Sequence, residues 1–195
     1  MKKTLCAAAL AAALGWGAAA QADDGVIRIG FITDMSGLSA DADGPGGAEA
    51  IKMAIADFGG SVAGKKIEVL VADHQNRADI ASSRAREWLD QKGVNMLIAG
   101  ANSAAALAMA KVAEEKKTPF FVVSAGASEL TNSQCTPYTV HYVYDTVSLA
   151  RGTARAMLKE GNKDWFFLTV DHAFGQALER DASAVVTADG GTVKG

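Results

Sequence analysis

The sequence predicts an α/β fold built on a doubly wound parallel sheet, and three observations carry that expectation. Short β-rich apolar runs alternate with segments of helical periodicity. The connections between them are short, which implies parallel strands joined by right-handed crossovers. Two of the runs open into small, polar, glycine-bearing loops, at residues 100–103 and 124–128. In an open parallel sheet the carboxyl edge of the strands is where ligands sit.

Residues 26–33 read as the first strand, ended by the turn-forming Asp34-Met35-Ser36-Gly37. Ile51, Ala54, Ile55 and Phe58 then recur at i, i+3, i+4 and i+7, one face of an amphipathic helix. Pro45 suits the first turn of that helix, and Gly59-Gly60 ends it. Residues 66–72 read as a second strand, closed by Asp73-His74-Gln75-Asn76. A helix from about Ala78 turns Ala81, Ala85, Trp88 and Leu89 inward, and Gly93 stops it. Residues 94–99 and 119–123 are the third and fourth strands. The alanine-rich helix between them is expected to bury Leu107, Ala108 and Val112.

After Thr131 the rhythm breaks. Residues 132–137 are loop, and 139–144 a short extended piece. A helix follows over 147–160, with Gly161 as its stop. Residues 164–170 read as a new buried strand, 174–187 as a helix and 192–193 as the hint of one more strand. A single strand–helix start is not expected to enclose a core of its own.

The amino end reads differently. Lys2 and Lys3, an apolar run from Leu5 to Leu14 and the small-residue site Ala20-Gln21-Ala22 make residues 1–22 a secretory signal peptide, cleaved before Asp23. A membrane anchor is the weaker reading, because the run is short and soon meets Asp23-Asp24. The chain is 49% hydrophobic and 21% charged with a net charge of −3, a globular balance for one domain and part of another. That charge excludes a basic nucleic-acid surface. Outside the signal peptide Cys135 is the one cysteine, expected either to be buried and inert or to pair outside this chain; the second reading is preferred. With His74, His141 and His172 it gives no metal-ligand spacing, so no metal and no cofactor are expected.

The order of segments resembles the leucine/isoleucine/valine-type solute-binding proteins of ABC transporters, the type I periplasmic-binding-protein fold. The resemblance rests on Ile29-Gly30 with Met35-Ser36-Gly37, 47–50, 71–76, 84–88, Val112-Ala113-Glu114-Glu115, Ser128-Glu129-Leu130-Thr131, and Trp165–Thr169 with Phe174-Gly175. It implies two lobes closing on a small solute: 23–145 as the first, and 146–195 as a hinge helix with the incomplete start of the second. It implies a periplasmic, monomeric receptor that hands its solute to a membrane permease. It also implies ligand contacts from Ser103, from Gly126, Ala127 and Ser128, and from Phe174, where amino-acid-binding members carry a tyrosine. That departure leaves room for aromatic acids, other small carboxylates and amides. A chain ending at Gly195 is expected to bind weakly and to expose apolar surface around Phe166, Phe167 and Val185.

Other readings of the same residues stay open. Ser103 can be a helix N-cap, Gly126 and Ser128 an ordinary turn, and Phe174 a core residue. Gly44-Pro45-Gly46-Gly47 fits a tight turn before a helix and neither phosphate-loop pattern. Asp34, Asp41 and Asp43 read as a solvated rim, and Cys135, His141 and Asp145 as no nucleophilic set. A ligand sensor on the same fold is the alternative function. An exported enzyme would need a catalytic constellation at the strand ends, and the sequence shows none.

Overall fold

The computed structural model describes residues 25–195, so the signal peptide read at 1–22 lies outside the described residues. β1 (Val26–Thr33), β3 (Lys65–Asp73), β4 (Val94–Ala99), β5 (Phe120–Val122) and β6 (Thr139–His141) pair in parallel. β2 (Ser61–Val62) adds an antiparallel edge on β3. The six-stranded order is β2-β3-β1-β4-β5-β6. The chain winds outward from β1 to β3, then crosses back to β4 on the other side. The switch point therefore lies between β1 and β4, where a crevice opens at the carboxyl ends.

Alternation of side chains builds a core on each face. Ile32, Leu97 and Phe120 point to one side, where α3 (Ala78–Gln91) and α4 (Ser103–Lys116) cover them with Trp88, Met109 and Val112. Their neighbours Phe31, Ile98 and Phe121 point to the other side, under α2 (Pro45–Asp57). Gly30 is demanded by packing: a Cβ there would stand 2.8 Å from Trp88 Cε3.

Two sequence expectations are corrected. On α2, Ala54 and Phe58 face solvent, Phe58 at 65% exposure, because the short helix lies on the sheet through Ala48 and Ile51. On α4 the buried face is Ala105, Ala106, Met109, Ala110, Val112 and Ala113, with Leu107 and Ala108 only half-buried. Alanine-rich helices carry little periodic contrast, so the face is set by α3 and the sheet. The extended piece at 139–144 yields β6, which joins the main sheet beside β5.

The remainder is a smaller unit. α5 (Thr146–Lys159) begins with a capping box in which Asp145 accepts from Ser148 N–H at 2.7 Å and Ser148 Oγ accepts from Asp145 N–H at 3.2 Å. It packs on α6 (Ala173–Ala188) through Ala154, Leu158 and Val186. The expected strand 164–170 is reduced to β7 (Asp164–Trp165), paired only with β8 (Thr192–Val193) among the described residues. Phe166 and Leu168 are exposed and Phe167 and Val185 half-buried, since a lone pair of strands gives their side chains no second layer to enter.

Candidate functional site

The loops after β1, β3 and β4 are fastened to one another by side chains. Asp34, fully buried, accepts from the N–H groups of Gly37 (2.8 Å) and Ser39 (2.9 Å). Asp43 accepts from Thr33 Oγ1 (2.7 Å) and from Ala101 N–H (2.6 Å). The rim reading thus fails for Asp34, which closes its own loop, and for Asp43, which ties that region to the loop after β4, and holds for exposed Asp41. His74 is buried and joins in. Its Nδ1 accepts from Asn76 N–H (3.0 Å), which leaves Nε2 to donate to Ala101 C=O (3.3 Å). Burial drives its pKa below the usual imidazole value, outweighing the Ala101 carbonyl and the nearby Asp34, Asp73 and Asp43.

These ties hold the start of α4 in place. Asn102 is its N-cap, at φ +98°, and its Oδ1 accepts from Ala105 N–H at 2.9 Å. The cap role weighed for Ser103 therefore belongs to its neighbour. Ser103 is the first residue of the helix, 3% exposed, and its Oγ accepts from Ala127 N–H at 3.2 Å. Its hydroxyl hydrogen and the N–H groups of Ser103 and Ala104 meet no acceptor among the described residues. First-turn amides have no partner inside a helix, and they make its positive end an anion seat.

In front of this helix end lies a cleft of about 540 Å³, between the six-stranded unit and the start of α6. Ser103, Ala104 and Gly126 line it from one side, and Phe174 and His172 from the other. Tyr144, half exposed, joins the lining with its phenol. A Cβ on Gly126 would meet Tyr144 Cε2 at 2.9 Å and Phe174 Cε2 at 3.1 Å. Both rings therefore rest on the bare glycine face.

Of the five residues named from the sequence, Ser103, Gly126 and Phe174 line the cleft. Ala127 sits behind it, fully buried, with its N–H on Ser103. Ser128 is turned away. Its hydroxyl donates to Asp181 Oδ2 (2.8 Å) and accepts from Arg180 Nη2 (2.9 Å), while its N–H donates to Thr146 Oγ1 (3.1 Å). Burial raises the pKa of Asp181, but hydrogen bonds from Thr146, Ser128 and Arg180 outweigh it and leave the carboxyl below its ordinary value. Tyr144 and His172 were missed. Tyr144 ends the extended piece and carries no motif, and His172 precedes the expected helix; only the fold brings both into the cleft lining.

The residues set aside for nucleophilic chemistry have other tasks. His141 Nε2 donates to Ala125 C=O at 2.7 Å, Asp145 caps α5, and Cys135 is exposed, not buried, with no disulfide partner among the described residues. Among the described residues no group of three or more His, Cys, Asp or Glu could hold a metal, and no helix is long and apolar enough to cross a membrane.

The family profile described as periplasmic binding protein matches residues 26–195. The chain belongs to the periplasmic binding protein family. Among solved members, one from Burkholderia mallei is 63% identical, with a TM-score of 0.84 over 86% of this chain and 45% of that one. A branched-chain amino acid ABC transporter periplasmic ligand-binding protein from Burkholderia xenovorans is 34% identical (TM-score 0.73, 86% and 45% covered). An ABC transporter solute-binding protein from Rhodopseudomonas palustris, in complex with 3,4-dihydroxybenzoic acid, is 31% identical (TM-score 0.76, 88% and 46% covered). This chain thus spans about half the length of the solved periplasmic binding proteins it matches. Among curated proteins, none matches the chain. The family is one of solute-binding proteins.

Proposed function

We propose that this protein is the extracytoplasmic receptor of an ABC importer and that it captures a small carboxylate-bearing solute in the cleft before α4. The observation that carries the reading is the unengaged donor set at Ser103 and Ala104, on the switch point of the sheet. Relatives named for a branched-chain amino acid transporter and for 3,4-dihydroxybenzoic acid support it, because both solute classes carry a carboxylate. Ser103 and the α4 amino end seat the anion, Gly126 gives the Tyr144 and Phe174 rings room to pack against it, and Phe174 meets the solute from the α6 side. Residues 23–145 act as one lobe and 146–195 begin the other. Each lobe alone binds weakly, and the closed state is stabilised when the solute touches both. The protein works as a periplasmic monomer and delivers its solute to a membrane permease. It catalyses no reaction and uses no cofactor.

The same cleft would serve a sensor, and a fused signalling domain in place of a neighbouring permease gene would distinguish the two. The reading is tested by a thermal-shift screen of the full gene product against amino acids, aromatic acids and amides. A true solute raises the melting temperature by mass action. A screen in which no small carboxylate does so rejects it.

A further inference from the structure

We propose that His74 positions the solute seat at the amino end of α4 and makes it sensitive to pH, so that protonation of its imidazole loosens the seat and weakens solute binding. The inference rests on the reading of that cleft as the solute site. Ala101, two residues before Ser103, is gripped at both of its peptide groups. Asp43 Oδ2 takes its N–H at 2.6 Å, and His74 Nε2 donates to its C=O at 3.3 Å. The other ring nitrogen of His74 takes Asn76 N–H at 3.0 Å. Asn76 C=O in turn accepts from Asn102 Nδ2 at 3.2 Å, and Asn102 Oδ1 takes Ala105 N–H as the cap of α4. One imidazole thus joins two loops whose residues Asn76, Ala101, Asn102 and Ser103 line the cleft.

This arrangement needs the neutral ring. Neutral imidazole has one acceptor nitrogen, and Asn76 N–H uses it; imidazolium has two donors and no acceptor. Protonation at Nδ1 sets two N–H groups against each other, while the bond to Ala101 holds the ring where it is. Asn76 is the partner that gives way. Gln75 and Asn76 lie at φ +52° and +57°, in the sparsely populated left-handed region, so their backbone depends on the bonds around it. Displacement of Asn76 pulls on Asn102, itself at φ +98°, and so on the cap beside Ser103 and Ala104. Asp34 in the loop after β1, Asp73 at the end of β3 and Asp43 at the end of α1 (Ala40–Asp43) all favour the imidazolium. Arg77, the nearest cation in sequence, is turned to Asp79 at 3.1 Å. Burial outweighs the three carboxylates and keeps the ring neutral until the solution turns acid.

The test pairs NMR with calorimetry on the full gene product. In the solute-free protein the His74 ring and the backbone amides of Asn76, Asn102 and Ser103 are expected to titrate together, below the ordinary imidazole value of about 6.5. A ring that stays neutral down to about pH 5, or one that titrates without moving those amides, overturns the inference. Calorimetry with L-leucine and 3,4-dihydroxybenzoate as probes then follows affinity from about pH 7.5 to about pH 5, where their carboxylates stay ionised. Affinity is expected to be level above the imidazole titration and to weaken by about 3-fold or more at the acid end, because only the neutral-ring state is competent. His172 lines the same cleft, but a charge there would draw a carboxylate in, which is the opposite sign. The fall should therefore persist in His172→Gln and vanish in His74→Gln, whose amide offers one donor and one acceptor and takes no proton. Level affinity across the imidazole titration, or a fall that survives in His74→Gln, overturns the inference. Failure of both probes to bind at about pH 7.5 counts against the carboxylate reading alone. The amide titration needs no solute and still decides the switch.

Discussion

The Ser128 hydroxyl donates to Asp181 Oδ2 at 2.8 Å, joining the loop after β5 to the middle of α6 across 53 residues of chain. Thr146 Oγ1 donates to the same oxygen at 2.6 Å, and Arg180 reaches Ser128, Asp181 and Glu129. One carboxylate thus collects the end of the six-stranded unit, the start of α5 and the face of α6. Ser128→Ala removes one bond from a carboxylate that keeps Thr146 and Arg180. Chemical denaturation should show a loss of about 1 kcal/mol, and Asp181→Ala, which takes a shared acceptor from Thr146, Ser128 and Arg180 at once, a loss of about 2–3 kcal/mol.

Ser103→Ala should act on binding. Loss of a hydroxyl that bonds a carboxylate costs about 1.5–3 kcal/mol, which is about 10- to 100-fold in affinity. Ser103→Thr keeps the hydroxyl and should recover most of it. Calorimetry of the full gene product with its solute checks this, and an alanine variant that binds as tightly as wild type removes Ser103 from the site.

Stability should fall with pH through His74. The unfolded imidazole takes up a proton near pH ~6.5, and the buried one only at lower pH. Between those values the unfolded state binds more protons, so its population grows as pH falls. The stability is complete above the unfolded value and is lost as pH drops through the folded one. Melting temperatures taken from about pH 7.5 to about pH 5 should decline, and His74→Gln should decline less steeply.

Gly100 faces Thr33 Oγ1 and the Asp43 carboxylate so closely that a Cβ has no room. Both neighbours are bonded to each other, and Asp43 also holds Ala101 N–H. Gly100→Ala should destabilise by about 2–3 kcal/mol, as overpacking of a fixed site does. Asp43→Ala should cost about 1–3 kcal/mol by leaving Ala101 N–H and Thr33 Oγ1 without that partner. Thermal denaturation of the two variants checks both.

Much of the fold was legible before any coordinates. β1 spans the expected 26–33, and Ala81, Ala85 and Trp88 bury as their spacing requires. Strong contrast between apolar and polar positions makes those elements readable locally. α4 lacked that contrast, and its buried face came out shifted. Residues 164–170 have the composition of a strand, yet a strand exists only where another backbone accepts its bonds, and here β8 pairs with two residues.

The candidate site divides the same way. By itself the sequence determined the α/β class and the carboxyl-edge loops, because periodicity and small-residue loops are local properties, while Ser103 was singled out by the family resemblance. Tertiary structure decided the rest. It made Asn102 the cap and left Ser103 facing the cleft. It turned Ser128 toward Asp181, and it brought Tyr144 and Phe174 from two different segments onto Gly126. Which hydroxyl remains free, and which rings share a face, depends on partners distant in the chain, and only packing selects them.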